Sequence, residues 1–105
     1  MMEEIKHLQR VEFDSVMHSG KDLILFFYYK EGDAASTLGI QTMNEVNALI
    51  GRSFDLYLVD ADAEPDIVRA FSVKSVPEYV SMKKTKIHKR SSDLLRPSEV
   101  LALLK

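Results

Sequence analysis

The side chains in this chain that could do chemistry are a serine at a helix start, three histidines and two concentrations of charge. Ser36 falls where a helix begins, but a serine nucleophile needs a base beside it, and none is evident in the sequence. His7, His18 and His88 lie on separate elements, and no two have the spacing of a metal-ligand pair. There is no cysteine. That removes disulfides, thiolate metal sites, iron–sulfur clusters and all thiol chemistry. No glycine loop of the phosphate-cradling kind is present, so no cofactor is expected.

Acids dominate residues 31 to 66. Glu31, Asp33, Glu45, Asp55, Asp60, Asp62, Glu64 and Asp66 face one base, Arg52. One reading is an acidic face for a basic protein segment or a weakly held divalent cation. The plainer reading is helix capping and a solvated surface, because Asp33, Asp62, Glu64 and Asp66 sit where first-turn acids stabilise a helix. No calcium-loop spacing is present. Bases gather further on, as Lys83, Lys84, Lys86, Lys89 and Arg90, with no acid between Glu78 and Asp93. They could meet nucleic acid, anionic lipid or an acidic protein. They could equally protect a sheet edge from pairing. Without interleaved aromatics, and in a chain of net charge -2, edge protection is the simpler reading and nucleic acid is not expected.

The chain that must position these groups has 105 residues, 46% hydrophobic and 29% charged. That suits one soluble domain over 1–105 with one core. No apolar run approaches the ~20 residues of a membrane span. The opening Met-Met-Glu-Glu-Ile-Lys-His lacks the apolar core of a signal peptide, so the expected location is cytoplasmic.

Asp22–Lys30 is apolar on both parities and rich in aromatics, as expected of a central strand covered on both faces. Leu56–Val59 and Tyr79–Met82 read as further strands. Lys86–Lys89 is a weaker one, joined to its predecessor by a turn near Lys84 and Thr85. Phe13, Val16 and Met17 have helical spacing, with Gly20 as a stop. Ile40, Met43, Val46 and Ile50 predict a second helix ending at Gly51, with Ser36 or Thr37 as its cap and Asp33 near its positive end. Glu64-Pro65-Asp66 opens a third helix, and Pro97-Ser98-Glu99 a fourth. A short first strand is expected near Ile5–Leu8. Strands alternating with helices predict an α/β layer fold.

This order, with its terminal hairpin and last helix, resembles thioredoxin over about residues 20–104. The similarity is strongest from Val59 to Pro77, which holds an acid-ended strand, a proline-containing helix start, an aromatic, and a hydrophobic-x-x-hydrophobic-Pro ending. The resemblance implies a mixed central sheet of four to five strands with helices on both faces, and a cis-proline at Pro77. It also implies what is missing. The family's Trp-Cys-Gly-Pro-Cys falls on Gly32, Asp33, Ala34, Ala35 and Ser36, so Asp33 and Ser36 occupy the cysteine positions. The family's buried carboxylate, which moves protons at the second cysteine, falls on Phe27. Its lysine falls on Leu58, and its glycine after the hairpin falls on Asp93. Disulfide exchange is therefore not expected of this chain.

What remains is a scaffold. The expected function is non-catalytic protein binding at the former active-site face, formed by Gly32, Asp33, Ala34, Ala35, Ser36, Val76, Pro77 and Asp93. The alternative is an accessory subunit contacting an enzyme or nucleic-acid complex through the basic hairpin 83–90. In either case the molecule is expected as a monomer or weak homodimer, without metal.

Overall fold

The computed structural model describes residues 4–50 and 54–105. Met1 to Glu3, Gly51 and Arg52, which entered the expectations above, lie outside the described residues. β2 (Leu23–Tyr29) is the centre of the molecule. Alternate side chains of a strand point to opposite faces, and both faces of β2 are packed. Leu23, Leu25, Phe27 and Tyr29 meet α2 (Ala34–Ile50) and α4 (Pro97–Ala102). Ile24, Phe26 and Tyr28 meet the face covered by α1 (Arg10–Met17) and α3 (Pro65–Ala70). That is why this stretch is apolar on both parities.

The other strands are β1 (Lys6–His7), β3 (Asp55–Asp60), β4 (Glu78–Lys83) and β5 (Lys86–Ser91). They join β2 in the order β1-β3-β2-β4-β5. β1 and β2 both run parallel to β3. β4 is antiparallel to β2, and β5 to β4. This is a mixed sheet of five strands, within the four to five that the resemblance implies. β5 runs to Ser91, beyond the expected end at Lys89. Its register slips between Ser81 and Met82, where the buried Ser81 hydroxyl donates to the Lys89 carbonyl and accepts from the Lys89 N–H. Side-chain groups thus satisfy backbone that the slip would otherwise leave unpaired.

α2 buries Ser36, Gly39, Met43 and Val46, a stripe at helical spacing. The glycine in that stripe is there for space. A Cβ built on Gly39 would overlap the Phe27 ring, with Cε1 only 2.8 Å away. The ring also packs on Tyr79, with centroids 4.6 Å apart. On the opposite face the Tyr28 hydroxyl donates to the Ile67 carbonyl at 3.2 Å, tying the sheet to α3. Burial pushes the Tyr28 pKa well up, so the hydroxyl remains a donor. α1 ends at Met17 with His18 as its cap residue. Gly20, at φ 76, therefore serves the turn into β2 instead of stopping the helix.

In a helix interior, glycine to alanine ordinarily stabilises by about 1 kcal/mol. Gly39→Ala is expected to do the reverse and cost about 1–3 kcal/mol in urea unfolding, as overpacking does. Phe27→Leu in the same chain should recover part of that loss. Strict additivity of the two changes would show that the ring does not constrain this position.

Candidate functional site

Four segments meet at the C-terminal end of β2. Tyr28 pairs with Glu78, and Tyr79 pairs with Ser91. The loop after β2, the approach to β4 and the segment after β5 therefore lie side by side, following the strand order β2-β4-β5. The loop after β3 joins them, because the Ala61 N–H donates to the Tyr29 carbonyl at 2.8 Å.

In the first loop, Gly32 takes φ 85, a conformation that glycine adopts without a Cβ penalty. Asp33 then caps α2. Its Oδ2 accepts from the Ser36 N–H at 2.9 Å, and its carbonyl accepts from the Thr37 N–H and hydroxyl. This corrects the expectation that Ser36 or Thr37 is the cap. Ser36 lies inside the first turn and is 1% exposed, with its Oγ accepting from the Lys30 N–H at 3.0 Å. Its hydroxyl orders the loop, so Ser36 adds nothing to the surface. Ala34 is exposed and Ala35 half-buried.

The second loop is shaped by Asp60, whose Oδ1 accepts from the N–H groups of Asp62 and Ala63. These acids do the turn-building work of the plainer reading. In the third loop the Val76–Pro77 peptide bond is cis. Val76 is half-buried and Pro77 buried. The Val76 backbone forms no hydrogen bond to the backbone of another described residue. Asp93 follows β5 and is exposed. Its N–H donates to the Ser91 hydroxyl.

Two charged residues near the loop end are engaged with one another. Glu78 is buried and pairs with Arg90, whose Nε lies 2.9 Å from Oε2 and whose Nη2 contacts the same oxygen. Glu78 is therefore no part of an acidic face, and Arg90 is not a free cation of the hairpin. Lys89 donates to the Ala102 carbonyl. Asp66 pairs with Arg10 and Arg69. The histidines stay apart: His7 meets the Tyr29 hydroxyl, His18 the Asp14 carbonyl and His88 the Lys105 carbonyl. Among the described residues, no three His, Cys, Asp or Glu side chains form a group that could hold a metal.

Beneath the loops the core is apolar. Phe27 and Leu58 are both buried in the α2–α4 layer. The Tyr79 hydroxyl has no hydrogen-bond partner among the described residues, and burial raises its pKa. Above, Leu38 and Leu94 are exposed by 52% and 59%. The Thr42 hydroxyl faces the carbonyls of both Leu38 and Leu95, which brings the start of α2 and the segment after β5 together. Sequence reasoning missed this apolar edge, the Glu78–Arg90 pair and the Gly39 contact. The isolated glycine in a helical pattern was a usable signal for the last.

Comparison with known proteins agrees with this architecture. The chain is 25% identical over 83 residues to thioredoxin 2 of Plasmodium falciparum (isolate 3D7), covering 79% of this chain and 53% of that protein. It thus spans about half the length of the curated relative it matches. A structure of thioredoxin-2, a component of the malaria parasite protein secretion machinery, superposes with a TM-score of 0.74 at 24% identity. The match covers 79% of this chain and 81% of that one. Chloroplastic thioredoxin z superposes with a TM-score of 0.84 at 12% identity, covering 99% and 94%. No family model matches. The chain has the thioredoxin-like fold, is similar in sequence to a thioredoxin, and lacks the Cys-x-x-Cys motif. No helix among the described residues is long and apolar enough to cross a membrane.

With Asp33 as a cap, Asp33→Ala should lower stability by about 1 kcal/mol in chemical denaturation. Asp33→Asn, which keeps a capping oxygen, should stay near wild type. Equal losses in both would mean that the carboxylate charge matters more than the cap.

Proposed function

We propose that this protein is a non-catalytic protein-binding or scaffold module. Its contact surface is the loop end of the sheet, formed by Gly32–Ala35, Val76, Pro77 and Asp93, with Leu38 and Leu94 at its margin. The observation that carries this reading is the half-buried Val76, whose backbone is bonded to no other described backbone beside Pro77. An extended segment of a partner can pair with such a backbone as an added strand does. That contact needs shape and backbone groups, not thiols. With Asp33 and Ser36 at the cysteine positions, no mixed disulfide can form. In this reading the module carries out no disulfide exchange, and it works in the cytoplasm on a protein partner, without cofactor, membrane or nucleic acid.

A second reading rests on the hairpin. Lys83, Lys84 and Lys86 are exposed, and they surround Ile87, which is 44% exposed. As an accessory subunit, the chain would use this tip to hold an acidic surface of an enzyme or nucleic-acid complex.

Affinity capture from source cells separates the two. Wild type should retain a partner that Pro77→Ala and Asp93→Lys lose, while Lys83→Glu/Lys86→Glu retains it. Recovery unchanged by the loop-end variants but lost with the hairpin variant would overturn the first reading in favour of the second.

A further inference from the structure

The two ends of the sheet carry opposite charge. The hairpin tip lies at the N-terminal end of β2: Lys83 pairs with Leu23, and the Lys84 N–H donates to the Asp22 carbonyl at 3.1 Å. The acidic loops leave the other end of β2 and β3, where Tyr29 pairs with Asp60. The seven residues of β2 separate these ends by roughly 20 Å, at about 3.3 Å per residue. At the loop end Glu31, Asp62 and Asp93 are exposed, with Asp33, Asp60 and Glu64 half-buried among them. The bases there include Lys30, Lys74 and Arg96, the last paired with Glu99. At the tip, Lys83, Lys84 and Lys86 stand against Asp22 and Asp55. Arg90 lies near the loop end too, but its charge is taken up there by Glu78, so the pair leaves the other acids of that end uncancelled.

Apolar exposure follows the same pattern. Leu38 and Leu94 border the acidic end, and Ile87 projects among the lysines of the tip. Each end thus offers charge with an apolar residue beside it, and the two are complementary. We propose that the protein associates head to tail with a second copy of itself, the Lys83–Ile87 tip of one copy docking on the acidic, leucine-edged loop end of the next. The contact is heterologous, with different surfaces on opposite ends, so it adds copies in series and does not stop at a two-fold dimer. Between exposed charges it is salt-sensitive. The inference does not rest on the proposed partner binding. A chain that stays monomeric leaves that reading intact, and a copy docked on the loop end would compete with a partner there.

Sedimentation velocity over a concentration series tests it. In salt of roughly 0.01 M, where the Debye length is about 30 Å, the weight-average mass should rise past twice the monomer mass. In salt of about 1 M it should return to the monomer. Lys83→Glu/Lys86→Glu should be monomeric, and so should Glu31→Lys/Asp62→Lys/Asp93→Lys. An equimolar mixture of the two variants should associate again, since the reversed tip fits the reversed loop end. Recovery in the mixture also shows that both variants are folded. The proposal is overturned by a wild type that stays monomeric at low salt, by a series that stops at a dimer, by association that survives either reversal, or by a mixture that stays monomeric.

Discussion

The Phe27 ring lies directly on the backbone of α2 at Gly39, and the rest of the loop end depends on that contact. It sets how closely the long helix approaches the central strand. The first turn of α2 in turn positions Asp33 and the loop before it. Tyr79 closes over the ring from β4, and Leu58 flanks it from β3. The layer they form has no charged member. An ionised group placed there would lose its hydration with no partner to replace it, at a cost of several kcal/mol. In thioredoxins, the resemblance implies, these positions hold a carboxylate and a lysine that serve the cysteines. Here the cysteines and the groups beneath them are replaced together. Packing has taken the place of proton handling.

Above that layer, the polar groups are committed to architecture before any is available for chemistry. Asp33 caps α2, the Ser36 hydroxyl holds the Lys30 N–H, and Asp60 shapes the turn into α3. Asp66 and Glu78 are engaged by arginines. Glu31, Asp62 and Asp93 remain as surface charges at the loop end of the sheet, and Lys83, Lys84 and Lys86 at the other.

Much of the fold is legible in the residues. β2 and β3 are continuous apolar runs because both their faces are buried, whereas a strand with one wet face alternates apolar and polar residues. The proline-opened helices α3 and α4 begin where Pro65 and Pro97 stand. The cap of α2 is harder to read. Asp33, Ser36 and Thr37 are all residue types that cap helices, and the apolar period starts too late to choose among them. The choice falls on Asp33 because the Ser36 side chain is drawn inward to the Lys30 N–H. The Glu78–Arg90 pair depends on how β5 lies along β4, and the slip at Ser81 shifts that register. Local charge counting therefore assigns Arg90 to a surface it does not serve. β1 is only two residues long, and its pairing with β3 comes from tertiary context more than from its own pattern.

The most direct test of the central claim is the stability of Phe27→Asp, followed by urea unfolding from pH 4 to pH 8. A carboxyl in this layer would have its folded pKa raised by burial above the unfolded value of about 3.9. Any stability it retains is then fullest below that value and falls as the pH rises through the folded pKa. The packing predicts a urea midpoint below wild type at every pH, sliding further down towards pH 8. A midpoint equal to wild type, with no added slope against pH, would show that the layer beneath the loops accepts a charge, and would contradict the claim that packing has replaced proton handling.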